Sequence, residues 1–297
     1  MLTEHVTTVK TWGNALRVHQ WLKNLLLLLP VLTAHRLLEP CILFKASLAF
    51  IAFSLCASSV YLLNDIRDLE TDRKHPSKRG RPFASGALPL RWGRLAVPIL
   101  LASSFIVATG LPTAFWIVLL AYYLTTLLYS YWIKPLMILD VIVLATLYTM
   151  RIIAGAAATS IPVSFWLLIF SLFLFFSLAL LKRYSELVIL KNNGFEKTLD
   201  RGYKTDDQPL IRSLGVASGY LSVLVLALYI NSHASEVLYR HPQILWVLCP
   251  LLLYWLSRAW TLVHRGEMHE DPVVFAASDM VSRALLLLAV LVIAGAM

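Results

Sequence analysis

Four polar residues with short, regular spacing follow a long apolar stretch of the sequence: Asn64, Asp65, Asp68 and Asp72. We expect the apolar helix to continue through them, and residues three or four apart share one face of a helix. Three carboxylates and an amide oxygen on one stripe repel each other unless a cation lies among them. Such oxygen ligands suit Mg²⁺, which proteins often hold through a few carboxylates together with substrate phosphates. The spacing therefore predicts a magnesium site, and the plain alternative is a solvated helix end.

A basic run begins directly after these acids. Its lysines and arginines are Arg73, Lys74, Lys78, Arg79 and Arg81. Cationic side chains bind phosphate oxygens through charge-assisted hydrogen bonds. Acids for a metal beside bases for phosphate predict a binding site for a metal–diphosphate complex. The alternative is a positively charged loop that contacts lipid head groups.

These residues lie in a chain that is too apolar for a soluble enzyme. Apolar residues make up 59% of its 297 residues and charged residues 14%, whereas soluble domains average roughly 45–50% and 25%. The mean hydropathy is +0.71. The composition excludes a soluble enzyme, a disordered chain and a disulfide-rich secreted domain, and it predicts an all-α polytopic membrane protein. The net charge of +9 favours phosphates and lipid head groups as partners over nucleic acid.

Nine apolar segments approach the length needed to cross a bilayer, which is about 20 residues per helix. They lie at 22–38, 43–63, 92–110, 113–131, 138–157, 163–183, 213–231, 243–261 and 279–296. The first is the weakest, because Lys23 and Pro30 interrupt it. We therefore expect a single domain, residues 1–297, built as a bundle of nine transmembrane helices.

The distribution of lysine and arginine predicts the orientation of this bundle. With the N-terminus in the cytoplasm, 22 of the 26 basic residues lie on the cytoplasmic side and three on the other, in agreement with the positive-inside rule. The long polar stretches 64–91 and 184–212 then share the cytoplasmic face. Residues 1–21 are expected to lie in the membrane interface before the first span. The sequence thus predicts an active site that faces the cytoplasm.

Ionisable residues within spans are costly and are often functional. Asp140 and Arg151 are eleven residues apart in one expected helix, about three turns, and share a face. Asp140 is a candidate for holding a metal or ribose hydroxyls. For Arg151, a lipid phosphate and a buried ion pair or interhelical hydrogen bond are both open. Tyr129 and Lys134, at the cytoplasmic end of the preceding helix, are weaker candidates for a phosphate.

Lys182, Arg183 and Glu186 lie at the cytoplasmic end of the sixth expected helix. Lys182 and Glu186 are four residues apart, so a simple salt bridge on the helix surface would explain both. The functional alternative is that the two cations bind a lipid monophosphate, which needs positive charge rather than a metal.

The motif N-D-x-x-D-x-x-x-D at 64–72 and the nine expected spans resemble the UbiA superfamily of intramembrane prenyltransferases, over nearly the whole chain. In that family the motif binds magnesium and a diphosphate. Most members also carry a second motif, D-x-x-x-D, after the sixth helix. Here the matching place reads K-R-Y-S-E-L at 182–187, and Asp200, Asp206 and Asp207 lack the spacing.

Three segments resemble one branch of that family, the decaprenyl-phosphate phosphoribosyltransferases. They are L-R-V-H-Q-W-L-K-N at 16–24, D-R-K-H-P-S-K-R-G-R-P at 72–82, and the K-R-Y-S-E-L segment at 182–187. Val18 stands where that branch usually has proline. The absence of the second aspartate motif is therefore itself part of the resemblance.

The resemblance implies an enzyme that transfers 5-phosphoribose from phosphoribosyl diphosphate (PRPP) to a polyprenyl monophosphate and releases diphosphate. It implies Mg²⁺ held by Asn64, Asp65, Asp68 and Asp72, with the three aspartates as catalytic residues. Lys23 joins the substrate-binding candidates, since it lies within the 16–24 segment. The resemblance also implies a place in the bacterial inner membrane, with the membrane lipid as a partner, and it is compatible with a homo-oligomer.

Two other functions remain open from the sequence. One is an aromatic prenyltransferase, in which the same aspartates would hold a prenyl diphosphate and the second substrate would be a ring. The other is a non-catalytic carrier of lipid phosphates, since charges within the membrane also suit transport. A carrier would leave both substrates chemically unchanged, and the sequence lacks the paired half-repeats typical of transporters.

Overall fold

The computed structural model describes residues 2–74, 78–194, 196, 198, 201–268 and 271–297, and for residues 2–8 it describes the backbone. The regular elements in this part of the chain are helices, which confirms the all-α polytopic class. Contacts divide the chain into two compact units. The first comprises residues 1–133 and 150–162, and the second comprises residues 134–149 and 163–297.

The first unit contains six α-helices, a 3₁₀ helix and one π-helical turn. In chain order they are α1 (Leu2–Ala15), the 3₁₀ helix Val18–Leu28, α2 (Leu29–Thr33), α3 (Pro40–Arg67), α4 (Leu69–Lys74), α5 (Leu90–Ala108), α6 (Thr113–Leu128) and the π turn Tyr129–Ile133. The next helix, α7 (Leu139–Thr159), contributes its later residues to this unit and its earlier residues to the second.

The second unit contains the remaining helices. They are α8 (Phe165–Asn192), the 3₁₀ helix Thr205–Asp207, α9 (Gln208–Ile230), α10 (His233–Leu238), the 3₁₀ helix Pro242–Val247, α11 (Leu248–His264), α12 (Pro272–Ser278) and α13 (Met280–Ala296). Its core is formed where α8, α9 and α11 meet, around Leu180, Leu187, Ile211 and Trp260.

Seven helical segments of the described chain are long and apolar enough to span a bilayer. They are Pro40–Arg67, Leu90–Ala108, Thr113–Ile133, Leu139–Thr159, Phe165–Asn192, Thr205–Ile230 and Pro242–His264. The pair α12 and α13, bent by 82°, makes an eighth if it counts as one span. The expected number of nine is not confirmed, because residues 22–38 do not form one long α-helix.

Those residues run beside α3 in 3₁₀ form instead. Trp21 donates to Ser58 Oγ at 3.0 Å, and Asn24 donates to Ser54 Oγ at 2.9 Å. Farther along, Val31 packs with residues near the start of α3. A 3₁₀ helix rises about 2.0 Å per residue against 1.5 Å in an α-helix, so eleven residues cover about 22 Å. The segment therefore follows α3 antiparallel over most of its length.

Small residues allow the helices of the first unit to approach closely. Ser59 Oγ donates to the carbonyl of Val97 at 3.0 Å, and Ser104 Oγ donates to the carbonyl of Ala52 at 2.7 Å, which ties α3 to α5. Hydroxyls that bond to neighbouring backbones, together with small side chains, are the usual means of packing helices within lipid. This packing fixes the end of α3, where the acidic motif begins.

Gly155 of α7 provides the closest of these approaches and gives a prediction. A Cβ atom there would lie 1.9 Å from the carbonyl oxygen of Leu27, and backbone cannot move aside as a flexible side chain can. We expect Gly155→Ala to lower the free energy of unfolding in detergent by about 3 kcal/mol, the upper range for overpacking. Gly13→Ala on α1, where a Cβ meets open space, is the matched control and should leave stability unchanged or slightly raised. Equal stability of the two variants would contradict the close approach.

Candidate active site

The acidic motif lies where α3 ends, and the helix is interrupted there. We expected the helix to continue, but α3 ends at Arg67 and α4 begins at Leu69. Asp68 between them keeps the hydrogen-bond pattern, since its N–H donates to the Asn64 carbonyl and its carbonyl accepts from the Asp72 N–H, both at 2.8 Å. The interruption is thus one residue long, and Asp65 and Asp72 still reach a common neighbour.

That neighbour is Arg81, on the loop between α4 and α5. Its Nη1 lies 3.1 Å from Asp65 Oδ1 and 2.7 Å from Asp72 Oδ2. Both aspartates are 2% exposed, whereas the Arg81 side chain is about a quarter exposed. Two buried anions held by one cation require strong compensation, because burying an unpaired carboxylate is costly. The structure therefore brings together two of the three predicted aspartates and one residue of the predicted basic run.

A second arginine, which the residue-by-residue analysis missed, completes this cluster. Arg17 Nη2 lies 2.5 Å from Asp65 Oδ1, and its guanidinium stacks 5.1 Å from the ring centre of Tyr61. Arg17 has a left-handed backbone, with φ of 51°, at the junction of α1 and the 3₁₀ helix. Such a conformation is uncommon for an arginine. The sequence signal that could have identified it is its position in the 16–24 segment.

The other cations of the basic run have different surroundings. Arg73 pairs with Glu70 at 3.1 Å on the surface, and Lys74 and Arg79 are exposed, while Lys78 is partly buried. Surface pairs of this kind contribute little to stability. Residues 75–77 of the same run lie outside the described residues. Arg81, in contrast, contacts two of the motif's acids directly.

Two of the four expected ligands, Asp65 and Asp72, are arranged in a way that suits a magnesium ion. Among the described residues, no group of three or more histidine, cysteine, aspartate or glutamate side chains is arranged to hold a metal. However, Mg²⁺ in proteins commonly uses one or two carboxylates and completes its shell with water and substrate phosphates. Asp65 and Asp72 already converge on one cationic group. These two residues fit the metal, with Asn64 and Asp68 partly buried beside them.

Arg151 lies deeper in the first unit and forms interhelical hydrogen bonds. Its Nε donates to Asn24 Oδ1 and its Nη2 to the Tyr122 hydroxyl, both at 3.0 Å. The guanidinium also lies over the rings of Phe53 and Tyr122. Of the sequence alternatives for Arg151, the interhelical hydrogen bond is thus present in the structure. Lys23 is buried next to Asn24 on the 3₁₀ helix.

A separate charge network occupies the second unit, around Asp140 at the start of α7. Arg183 Nη2 lies 2.8 Å from Asp140 Oδ2, and both side chains are fully buried. Arg201 Nη1 lies 3.3 Å from the same oxygen. Arg183 and Arg201 also contact Glu186, the latter at 3.6 Å. Two arginines and two carboxylates thus balance each other in charge, and Arg183 joins α8 to α7.

The simple salt bridge expected between Lys182 and Glu186 is not formed, and that interpretation is wrong. Lys182 Nζ instead lies 2.9 Å from Asp271 Oδ2, and Glu186 pairs with the arginines. Asp271 also accepts from the N–H of Val273, so it caps the N-terminus of α12. The Lys182 side chain is 38% exposed, so of the two neighbouring cations it is the one open to a ligand.

Tyr203 connects this network to a strained turn. Its hydroxyl donates to Asp140 Oδ1 at 2.6 Å and accepts from the Ile138 N–H at 2.7 Å. Ile138 has φ of 65°, which is rare and costly for a β-branched residue. The hydroxyl therefore holds both the turn before α7 and the first carboxylate of that helix. Sequence analysis missed Tyr203, because a single tyrosine in a polar loop carries no distinctive spacing. Of the two remaining candidates, Tyr129 is buried in the π turn and Lys134 is partly buried.

Tyr203→Phe removes both hydrogen bonds and should lower the free energy of unfolding by about 2 kcal/mol. Burial and the hydrogen bond to Asp140 also raise the pKa of the Tyr203 hydroxyl above its usual value, which is about 10. The extra stability that the hydroxyl gives the wild type is therefore fully present below about pH 10. It decreases as the pH rises toward the higher pKa of the folded state. Thermal unfolding of the wild type and Tyr203→Phe between pH 8 and 11 measures this difference in stability. A constant difference across that range would contradict the assignment.

Comparison with known proteins places this chain in a family. The pattern of the UbiA prenyltransferase family matches residues 27–286. The chain is 37% identical to the uncharacterized protein y4nM of Sinorhizobium fredii, over 92% of this chain and 53% of that protein. It is 36% identical to the nodulation protein NoeC of Azorhizobium caulinodans, over 91% of this chain and 87% of that protein.

A third relative is the decaprenyl-phosphate phosphoribosyltransferase of Mycobacterium tuberculosis, 37% identical over 61% of each chain. The chain thus spans about half to two thirds of the length of two of these three relatives. Among solved structures, a UbiA homolog from Archaeoglobus fulgidus bound to GPP and Mg²⁺ superposes with a TM-score of 0.70, over 96% of this chain and 99% of that one. At 17% identity this likeness supports the fold. The chain belongs to the UbiA prenyltransferase family.

Proposed function

We propose that the protein transfers 5-phosphoribose from PRPP to a polyprenyl monophosphate, with magnesium, and releases diphosphate. The main support for this proposal is that two buried carboxylates, Asp65 and Asp72, both contact Arg81. A guanidinium group of this kind can also bind phosphate oxygens. The similarity to a decaprenyl-phosphate phosphoribosyltransferase, 37% identical over 61% of the chain, supports the choice of donor and acceptor.

The residues at the end of α3 would bind the donor. Asp65 and Asp72 would hold magnesium, which when bound supplies positive charge to a leaving diphosphate. Arg81 can donate two parallel hydrogen bonds to phosphate oxygens, since its guanidinium is planar and always charged. Lys74, at the end of α4, and Arg79, on the following loop, are exposed and are further candidates for contacts with the same anion. The donor is thus held by its diphosphate, and its ribose C1 is left open to attack.

The acceptor needs no strong general base. A phosphate monoester is largely ionised at pH 7, so its oxygen can attack C1 directly. The bond from C1 to the diphosphate oxygen breaks as the bond from C1 to the lipid phosphate oxygen forms, with inversion at C1. Lys182 is our candidate for holding the acceptor's phosphate, because its side chain is 38% exposed whereas that of Arg183 is wholly buried. Catalysis would then be mainly positional and electrostatic.

The second candidate, an aromatic prenyltransferase, is less well supported by the residues at the end of α8. A second aspartate motif there would hold a second metal beside a prenyl diphosphate. The chain instead has Lys182 and Arg183, each already paired with an acid from another element, Asp271 and Asp140. We also propose that the site faces the cytoplasm of a bacterial inner membrane, as the positive-inside rule predicts.

Two parallel reactions in liposomes test the proposal. One contains PRPP and polyprenyl monophosphate, and the other contains polyprenyl diphosphate and 4-hydroxybenzoate, both with Mg²⁺. We expect a new lipid-linked phosphoribose in the first and no prenylated ring in the second. A prenylated ring would establish the alternative, and unchanged substrates in both reactions would favour a carrier.

A further inference from the structure

Arg81 occupies a place that a metal ion would also need. Its guanidinium contacts Asp65 Oδ1 and Asp72 Oδ2, and carboxylate oxygens are ligands that Mg²⁺ prefers in proteins. A carboxylate oxygen shared with a guanidinium has fewer lone pairs to offer to a cation. The arginine and the metal are therefore competitors for the same two residues.

Charge balance decides when the arginine can be displaced. Asp65 and Asp72 carry two negative charges, and Arg17 and Arg81 carry two positive charges, so these four side chains together are neutral. A divalent cation entering by itself would leave two excess positive charges at a buried place, which is unfavourable. A divalent cation entering with a diphosphate brings its own negative charge. The diphosphate also offers oxygens to which Arg81 can transfer its hydrogen bonds.

Arg81 is better placed than Arg17 to make this exchange. It lies on the loop between α4 and α5, and its side chain is about a quarter exposed. Its hydrogen bonds join two elements, α3 and α4, so its departure opens the space between two carboxylates at once. Arg17 contacts Asp65 and is held over the ring of Tyr61. Arg17 can therefore stay and keep Asp65 in position.

We propose that Arg81 is a positioning residue that couples the two parts of the donor site: it bridges Asp65 and Asp72 in the free protein and moves to phosphate oxygens when a metal–diphosphate complex binds. The metal alone then binds weakly, and metal and diphosphate bind cooperatively. This rests on the proposed function, because it takes the two carboxylates as metal ligands.

Two binding measurements on Arg81→Gln test the exchange, because the affinities for the metal and for diphosphate should change in opposite directions. Without diphosphate, we expect the purified variant in detergent to bind Mn²⁺, followed by electron paramagnetic resonance, about 10-fold more tightly than the wild type. At saturating Mn²⁺, we expect it to bind radiolabelled inorganic diphosphate about 10-fold more weakly. Arg94→Gln, which removes an exposed arginine of α5, should leave both affinities within about two-fold, as a surface charge does.

The outcomes separate this inference from the proposed function. If Mn²⁺ binds the wild type and Arg81→Gln equally well, the exchange is wrong and the metal site stands. If Arg81→Gln weakens both ligands, Arg81 merely supports the fold of the site and the exchange is again wrong. If neither protein binds Mn²⁺, with or without diphosphate, both the exchange and the proposed metal site fail. Arg81→Lys keeps the positive charge but loses the planar guanidinium, so its affinities for Mn²⁺ and diphosphate should lie between those of the wild type and Arg81→Gln. It replaces the glutamine variant if that variant does not fold.

Discussion

Asp65→Asn is expected to lower the rate of phosphoribosyl transfer by about 10²–10³-fold at saturating substrates, the scale seen when one electrostatic group is removed from an active site. The carboxylate is buried, contacts both arginines of the cluster, and is one of the two residues that fit the metal. Asparagine keeps the shape and one oxygen but removes the charge. The rate constant kcat in liposomes, measured at several Mg²⁺ concentrations, gives the effect.

Glu70→Gln is the matched control for this loss. Glu70 belongs to the same acidic stretch, but it is exposed and pairs with an exposed arginine, Arg73. We expect its kcat to stay within about two-fold of the wild type, since an exposed pair contributes little. Similar losses of kcat in Asp65→Asn and Glu70→Gln would mean that the overall negative charge of the stretch matters. They would contradict the assignment of Asp65 as a metal ligand.

The second large effect concerns stability and the second unit. Asp140→Asn should lower the free energy of unfolding by about 3–5 kcal/mol, the cost of breaking a buried ion pair from one side. Arg183 would keep its charge at a fully buried place, where it would still contact the carboxylate of Glu186. For a chain of this size, we expect a fall in Tm on the order of 10 °C.

Asp206→Asn controls for the loss of a negative charge in the same unit. Asp206 is exposed in the short 3₁₀ helix before α9, and its replacement should change Tm by less than about 2 °C, as for most surface substitutions. If Asp140→Asn is as stable as Asp206→Asn, the network around Arg183 does not hold α7 and α8 together, and Asp140 would be free for a role in ligand binding.

The hydropathy pattern predicted most of the fold because lipid imposes one requirement on every span. Each backbone polar group must be satisfied within the segment, so a long apolar run becomes a helix. The same pattern cannot distinguish an α-helix from a 3₁₀ helix. For residues 18–28 the difference comes from packing, since Asn24 bonds to Ser54 and the backbone at Leu27 lies against Gly155.

The acidic motif was predictable because its spacing is local, but its partners were not. Residues three, four and seven apart must share a helix face, and Asp65 and Asp72 do converge. Arg81 and Arg17 approach Asp65 from positions 16 and 48 residues away in sequence. Nothing in the spacing of charges selects those two arginines, because loop geometry and the fold of the N-terminal segment bring them there.

The ion pairs at the end of α8 show how burial overrides local rules. Lys182 and Glu186 have the spacing of a helix-surface pair, worth only about 0.5 kcal/mol. Burying Asp140 without a cation would cost several times more, so the neighbouring Arg183 turns inward to it. Lys182 is then available to Asp271, at 2.9 Å. The tertiary fold thus chooses partners that a single helix cannot reveal.

The measurement that tests the central claim most directly uses PRPP labelled twice, with ¹⁴C in the ribose and ³²P in the diphosphate. Wild type and Asp72→Asn are incubated in liposomes with polyprenyl monophosphate and Mg²⁺, and both labels are followed into the organic phase. We predict that the wild type moves ¹⁴C into the lipid while ³²P stays in the water as diphosphate, and that Asp72→Asn moves neither. Transfer of both labels together, or ¹⁴C transfer that proceeds unchanged in Asp72→Asn or without Mg²⁺, would contradict a donor site built on these carboxylates.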